Sequence, residues 1–101
     1  MAVKVLITRR CREDAMVDVL VALSRLRAQA MIQKGYITGE TLFGVDDPRK
    51  LLVISTWDDL DNWQAWKESA ARQESDMNLE SYLLGPPTYE VFRFGAWGGR
   101  S

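Results

Sequence analysis

Two spacings of apolar residues take turns along this chain, and between them they lay out its elements. From Ala2 to Arg9 the step is two: Val3, Val5 and Ile7 alternate with Lys4, Leu6 and Thr8, the pattern of a strand rich in β-branched residues. Leu6 on the second side implies that both faces are at least partly covered. From Glu13 to Lys34 the step becomes three and four. Met16, Leu20, Leu23, Leu26 or Arg27, and Ala30 or Met31 form one helical stripe, free of glycine and proline, and Gly35 stops it. Alternation returns at Tyr36, with Tyr36, Thr38, Glu40 and Leu42 facing one way and Ile37, Thr41, Phe43 and Val45 the other. Gly39 and Gly44 mark a bulge, a bend or the close approach of another group. Asp46-Asp47-Pro48-Arg49 is a turn, because Asp side chains bond the local backbone and proline presets φ. The near-continuous apolar run from Leu51 to Trp57 suits a central strand buried on both faces.

The next stretch carries Trp57, Trp63 and Trp66, three of the chain's four tryptophans. Asp58 reads as an N-cap, with Asp59 and Asp61 in the first turn, where exposed N–H groups favour negative charge. Leu60, Trp63, Trp66 or Lys67, and Ala70 share one helix face, and the helix is expected to fray between Glu74 and Met77. A short helical turn fits between Asn78 and Gly85, and Gly85-Pro86-Pro87 ends it before a last strand from Thr88 to Phe94. Residues 1–95 then form a single domain, and 96–101, Gly-rich apart from Trp97, a flexible tail.

The order strand, helix, strand, strand, helix, strand is that of an α+β, ferredoxin-like subunit with a four-stranded antiparallel sheet. Right-handed connections put both helices on one face of it. Large apolar groups on the other face would leave several hundred Å² exposed, and at about 25 cal/mol per Å² that is expensive. A twofold homodimer, joined through its sheet faces, is the expected solution.

Composition narrows the function by exclusion. With 101 residues, 47% apolar and 27% charged, the chain is globular rather than disordered. A net charge of −1 argues against a nucleic-acid partner, and the cluster Arg9, Arg10 and Arg12, followed at once by Glu13 and Asp14, reads as a solvated corner. Neither a membrane-spanning run nor a signal peptide is evident, so a cytoplasmic protein without a membrane partner is expected. There is no histidine, which removes imidazole acid–base chemistry and the commonest metal ligand. Cys11 is the one cysteine, so neither a disulfide nor a cysteine-rich metal site can form within the chain. Arg10, Arg12 and a helix N-terminus could lower its pKa, although an unreactive small residue is the simpler reading. No metal site is expected.

Three stretches resemble one family: G-Y-I-T-G-E-T-L from Gly35 to Leu42, V-I-S-T-W-D-D-L-D-N-W-Q-A-W from Val53 to Trp66, and K-E-S-A-A-R from Lys67 to Arg72. They are similar to the antibiotic biosynthesis monooxygenase domain of the dimeric α/β-barrel superfamily. The resemblance implies a cavity in each subunit between the helices and the sheet, and a dimeric barrel. It implies oxidation of a small aromatic or enolisable compound by O2 with no metal or flavin cofactor, the deprotonated substrate itself reducing O2. By position Trp66 corresponds to a cavity tryptophan, with Asn62 and Arg72 as polar neighbours: Asn62 as hydrogen-bond donor to a substrate oxygen, Arg72 as stabiliser of an enolate. Tyr36, Trp63 and Tyr82 are further candidates for the substrate space, against plain packing, and Glu40 a candidate base, against a solvated strand edge. A haem-degrading branch is similar in outline. It relies on an Asn on the first strand, the tryptophan and a His beyond the second helix. Here the first strand offers Ile7 and Thr8, the later region reads Q-E-S-D-M from Gln73, and only Trp66 remains. The alternatives are a non-catalytic protein binding a small hydrophobic ligand, or one that binds haem without degrading it.

Overall fold

Alternation along the first strand sets the interior. Val3, Val5 and Ile7 are all buried, and so is Arg9, which continues the same parity. The structure is a computed structural model that describes residues 1–95, so the tail expected at 96–101 lies outside the described residues. Its elements are β1 (Val3–Arg10), α1 (Met16–Met31), β2 (Tyr36–Phe43), β3 (Lys50–Trp57), α2 (Leu60–Glu68), α3 (Ala70–Glu80) and β4 (Thr88–Arg93). The strands form one antiparallel sheet in the order β2-β3-β1-β4. This is the ferredoxin-like α+β arrangement that the element order implies. It differs in one respect: the second helical region is two helices, and α3 runs on through the residues expected to fray.

Residues opposite one another in an antiparallel pair point to the same side. Val3 pairs with Trp57, Val5 with Ser55 and Ile7 with Val53, so these make the helix-facing side. Val19, Leu23, Leu26 and Ala30 of α1 are buried with them. The stripe is thus rotated from the sequence reading: Leu20 and Met31 are exposed, and Val19 holds the interior position. α1 is also shorter than Glu13 to Lys34. Ala15 occupies the N-cap position without a side-chain cap bond, and a turn bonded from Gln33 N–H to Ala30 C=O follows Met31 before Gly35, at φ +88°, reverses the chain.

On the opposite side Leu6 pairs with Ile54, Leu42 with Leu52, and Lys4 with Phe92. Leu42, Phe92 and Phe94 are exposed there, and Leu6, Leu52 and Ile54 are half-buried. The β2–β3 hairpin closes as its residues suggest. Asp47 Oδ1 accepts from the Arg49 N–H at 3.2 Å, the Lys50 N–H donates to the Asp47 carbonyl at 3.0 Å, and the Arg10 guanidinium pairs with the Asp47 carboxylate. Among the described residues no helix is long and apolar enough to cross a membrane.

β2 holds one irregularity. Tyr36 pairs with Trp57 and Thr38 with Thr56, so Ile37 is the extra residue of a bulge. The bulge separates Tyr36 from Thr38, Glu40 and Leu42, with which simple alternation had grouped it, and turns it to the helix side. Gly39 is not the bulged residue. A Cβ there would strike the Tyr36 hydroxyl, so Gly39 is the place of close approach that alternation left open.

Candidate functional site

The helix-facing side of β1, β2 and β3 is roofed by α1, α2 and α3, and a cavity of about 50 Å³ lies between them. Typical pockets for drug-sized ligands hold ~300–1,000 Å³ and an apolar cavity that takes up benzene ~150 Å³, so this one has room for about one or two waters and takes an organic ligand only as its walls move apart. Its walls are apolar and aromatic: Leu23 and Leu26 from α1, Tyr36 and Trp57 from the sheet, Trp63 and Trp66 from α2. Tyr36 meets Trp57 edge-on at 5.4 Å between ring centroids, Trp57 lies 5.9 Å from Trp63, and Trp63 lies 6.4 Å from Tyr89. This aromatic row runs from the sheet at Tyr36 and Trp57 through Trp63 on α2 to Tyr89 on β4. The Trp57 indole N–H donates to Ser55 Oγ at 3.1 Å, so that indole is fixed by its own strand.

α2 begins at Asp59, whose Oδ1 accepts from the Asn62 N–H at 2.9 Å. Asp59 and not Asp58 is therefore the cap. Asp58 instead accepts from the Asn62 side-chain amide at 2.7 Å, and its N–H donates to the Gly35 carbonyl at 2.8 Å. Asn62 is thereby tied to the Gly35 turn and does not line the cavity.

The helix breaks at Ser69, which is extended at φ −65°, ψ 150°. Its hydroxyl donates to the Trp66 carbonyl at 2.7 Å and accepts from the Arg72 N–H at 3.2 Å, closing one helix and capping the next. The break matters for Arg72. On an unbroken helix at 100° per residue, Arg72 would point about 120° away from Trp66. Instead its guanidinium carbon lies 5.4 Å from the Trp63 ring centroid and 6.0 Å from that of Trp66, and the residue is 2% exposed. Nε donates to Asp76 at 3.0 Å, and Nη2 has no partner among the described residues.

Arg9 was not among the sequence candidates. The solvated-corner reading holds for Arg10 and Arg12, which are exposed, but not for Arg9. It is 2% exposed, lines the cavity, and leaves both Nη1 and Nη2 without partners among the described residues. Burial and the neighbouring Arg72 cation both push its pKa down, while Tyr89 and Asp76 partly offset them. The signal that would have found it is the alternation itself, carried one step beyond Ile7. Arg9 also borders a second, wider hollow with Asp76, Pro86, Pro87 and Tyr89.

Of the sequence candidates, Tyr36, Trp63, Trp66 and Arg72 meet on the cavity, and Glu40 reaches its rim. Glu40 is exposed and pairs with Ile54, on the opposite side of the sheet from the cavity floor. Tyr82 is half-buried away from the cavity, its carbonyl accepting from the Arg12 N–H at 2.9 Å. Cys11 is fully buried, and burial raises its pKa, with Arg9 opposing in part, so the neighbouring arginines do not make it a thiolate. Among the described residues no group of three or more His, Cys, Asp and Glu side chains could hold a metal ion.

Residues 2–75 match the family model described as antibiotic biosynthesis monooxygenase. No curated protein sequence matches the chain. Solved structures similar to it include a conserved protein from Methanosarcina mazei, with TM-score 0.86, 15% identity and 92% coverage of each chain. Another is Rv0793 from Mycobacterium tuberculosis, with TM-score 0.85, 14% identity, and coverage of 95% of this chain and 97% of that one. A third is SnoaB, a cofactor-independent oxygenase from Streptomyces nogalater, with TM-score 0.85, 14% identity and 98% coverage of each chain. At these identities the likeness concerns the fold.

Proposed function

The chain belongs to the antibiotic biosynthesis monooxygenase family, and on that footing we propose that it oxidises a small aromatic or enolisable compound with O2, without a cofactor. The observation that carries this reading is the aromatic cavity with the buried Arg72 cation against its two α2 indoles. In the proposed reaction a CH₂ group activated by a carbonyl or ring loses a proton. The electron-rich carbon reduces O2 and bonds to one oxygen atom, and loss of water leaves C=O, so the second atom departs in H2O. Arg72 supplies fixed positive charge where the anion forms, in surroundings that exclude water and so strengthen it. Trp63 and Trp66 hold the ring and Tyr36 limits the far end, while Glu40, on the other side of the sheet, is out of reach of the proton, which leaves to solvent at the rim. Asn62 acts indirectly, holding Asp58 and the Gly35 turn beneath α2.

The subunit is proposed to work as a twofold homodimer joined through the open sheet face, on which Leu42, Phe92 and Phe94 are exposed. Haem is a poor fit to a cavity of about 50 Å³ without a histidine. Binding without turnover remains the second reading, favoured by the unpartnered guanidinium nitrogens, which serve binding whether or not oxidation follows.

An oxygen electrode and a substrate panel running from anthrone down to single-ring enolisable ketones test the first reading. Wild type is expected to consume one O2 per product and, under ¹⁸O2, to place one labelled atom in it. Trp66→Phe should slow uptake about tenfold, a barrier increase of ~1.4 kcal/mol. No uptake across the panel would leave binding alone.

A further inference from the structure

Two arginines, each 2% exposed, line the same small cavity, Arg9 bordering the wider hollow as well, and three of their terminal nitrogens lack partners among the described residues. Buried polar groups are almost always hydrogen-bonded, and a buried unpaired charge is among the costliest features a fold can carry. Nothing in the packing demands guanidinium at position 9. Ile7 and Val5, on the same strand and side, show what the interior otherwise accepts.

From these orphaned donors we infer that the cavity binds a compact, single-ring aromatic carboxylate, its carboxylate held by Arg9 and Arg72 and its ring between the tryptophans. The inference names the substrate class of the site proposed above and rests on that site, but not on turnover. Charge selects a monoanion. Arg9 and Arg72 bring two positive charges and Asp76, bonded to Arg72, removes one. Arg27 is exposed at the rim, where solvent and salt screen it, and Glu40 is exposed on the other side of the sheet. One uncompensated positive charge remains, which a carboxylate neutralises and a phosphate dianion would exceed. Geometry agrees: Arg9 Nη1 and Nη2 form the fork that pairs with both oxygens of a carboxylate. The cavity must widen even for one ring, which needs ~150 Å³, so more than one is shut out, and Tyr36, Trp57, Trp63 and Trp66 supply flat apolar surface around it.

Benzoate is the probe, with benzamide as its neutral isostere, and the readouts are calorimetric affinity and the indole N–H resonances. Benzoate is expected to bind at least tenfold more tightly than benzamide and to shift the indole signals. Arg9→Met should lose at least tenfold in benzoate affinity while its Tm stays level or rises, because it removes a buried, unpaired charge. A structural arginine would behave oppositely, with Tm falling and any benzoate affinity unchanged. Should Arg9→Met fail to fold, Arg9→Lys and Arg72→Gln carry the test, and each is expected to weaken benzoate at least fivefold at unchanged benzamide affinity. Equal binding of benzoate and benzamide, tighter binding of inorganic phosphate, or full benzoate affinity in the arginine variants would overturn the inference. Oxygen uptake is separate. Charge-selective binding without uptake removes the monooxygenase reading alone, and uptake with neutral substrates only removes this one alone.

Discussion

Cys11 separates the work of a backbone from that of its side chain. Its N–H donates to the Arg49 carbonyl at 2.9 Å and it bridges to Leu83, while the thiol is wholly enclosed. Burial holds the thiol pKa above its ordinary value. A raised folded-state pKa gives stability that is complete below the unfolded value, ~8.5, and declines as pH rises from there through the folded value. Native protein is therefore expected to resist a thiol-specific disulfide reagent at pH 8 and to react fully in denaturant. Its Tm should fall above about pH 8.5, and Cys11→Ala should lose that alkaline decline. Gly35 is constrained by its backbone instead. It has φ +88°, and a Cβ would collide with Asp58 and the Asn62 amide. Gly35→Ala is expected to cost about 1–3 kcal/mol in chemical denaturation, from strain and from displacing that pair. At this scale the sequence is readable where parity is unbroken and opaque where side chains meet across elements. Trp66 and Arg72 were visible as candidates. The enclosure of Arg9 was hidden by grouping it with Arg10 and Arg12, since a run of like charges is usually solvated. Asn62 looked like a cavity donor because nothing local announces that Asp58 will hold its amide.

Among the elements, the break at Ser69 has the largest effect on the site. One hydroxyl bonds the Trp66 carbonyl and the Arg72 N–H, so it both ends α2 and starts α3. Ser69→Ala removes that cap and favours a continuous helix. The expected loss is about 0.5–2 kcal/mol of stability, accompanied by a small gain in helical circular dichroism and weaker binding of anions, because Arg72 is carried away from the indoles. Ser69→Asn, which can cap, should restore most of both. The split was not legible in K-E-S-A-A-R, where every residue tolerates a helix and the decision rests on one serine. Strand order and the hairpin were legible, because alternation, the long helix and the Asp-Asp-Pro turn all agree with one topology. The bulge at Ile37 was missed for a related reason: an inserted residue preserves the look of alternation on either side while inverting the faces across it.

For the molecule as a whole, the proposed dimer rests on the unequal treatment of the two sheet faces. One face lies under α1, α2 and α3, and the other presents Leu42, Phe92 and Phe94 exposed beside half-buried Leu6, Leu52 and Ile54. Sedimentation equilibrium at micromolar concentration is expected to give twice the chain mass of 11.5 kDa. Ile54→Glu, placing charge at the centre of that face, should give the single-chain mass with benzoate binding retained, since its neighbours on the cavity side are unaltered. A lone subunit in the wild type would rule out the proposed dimer. Arg9 has a consequence at this scale too, because it borders both the cavity and the wider hollow beside Pro86 and Pro87. It stands as a partition between two rooms. Cutting it back to alanine would knock them through into one corridor with a back door near the prolines, and elongated neutral guests shut out of the wild type should then find lodging.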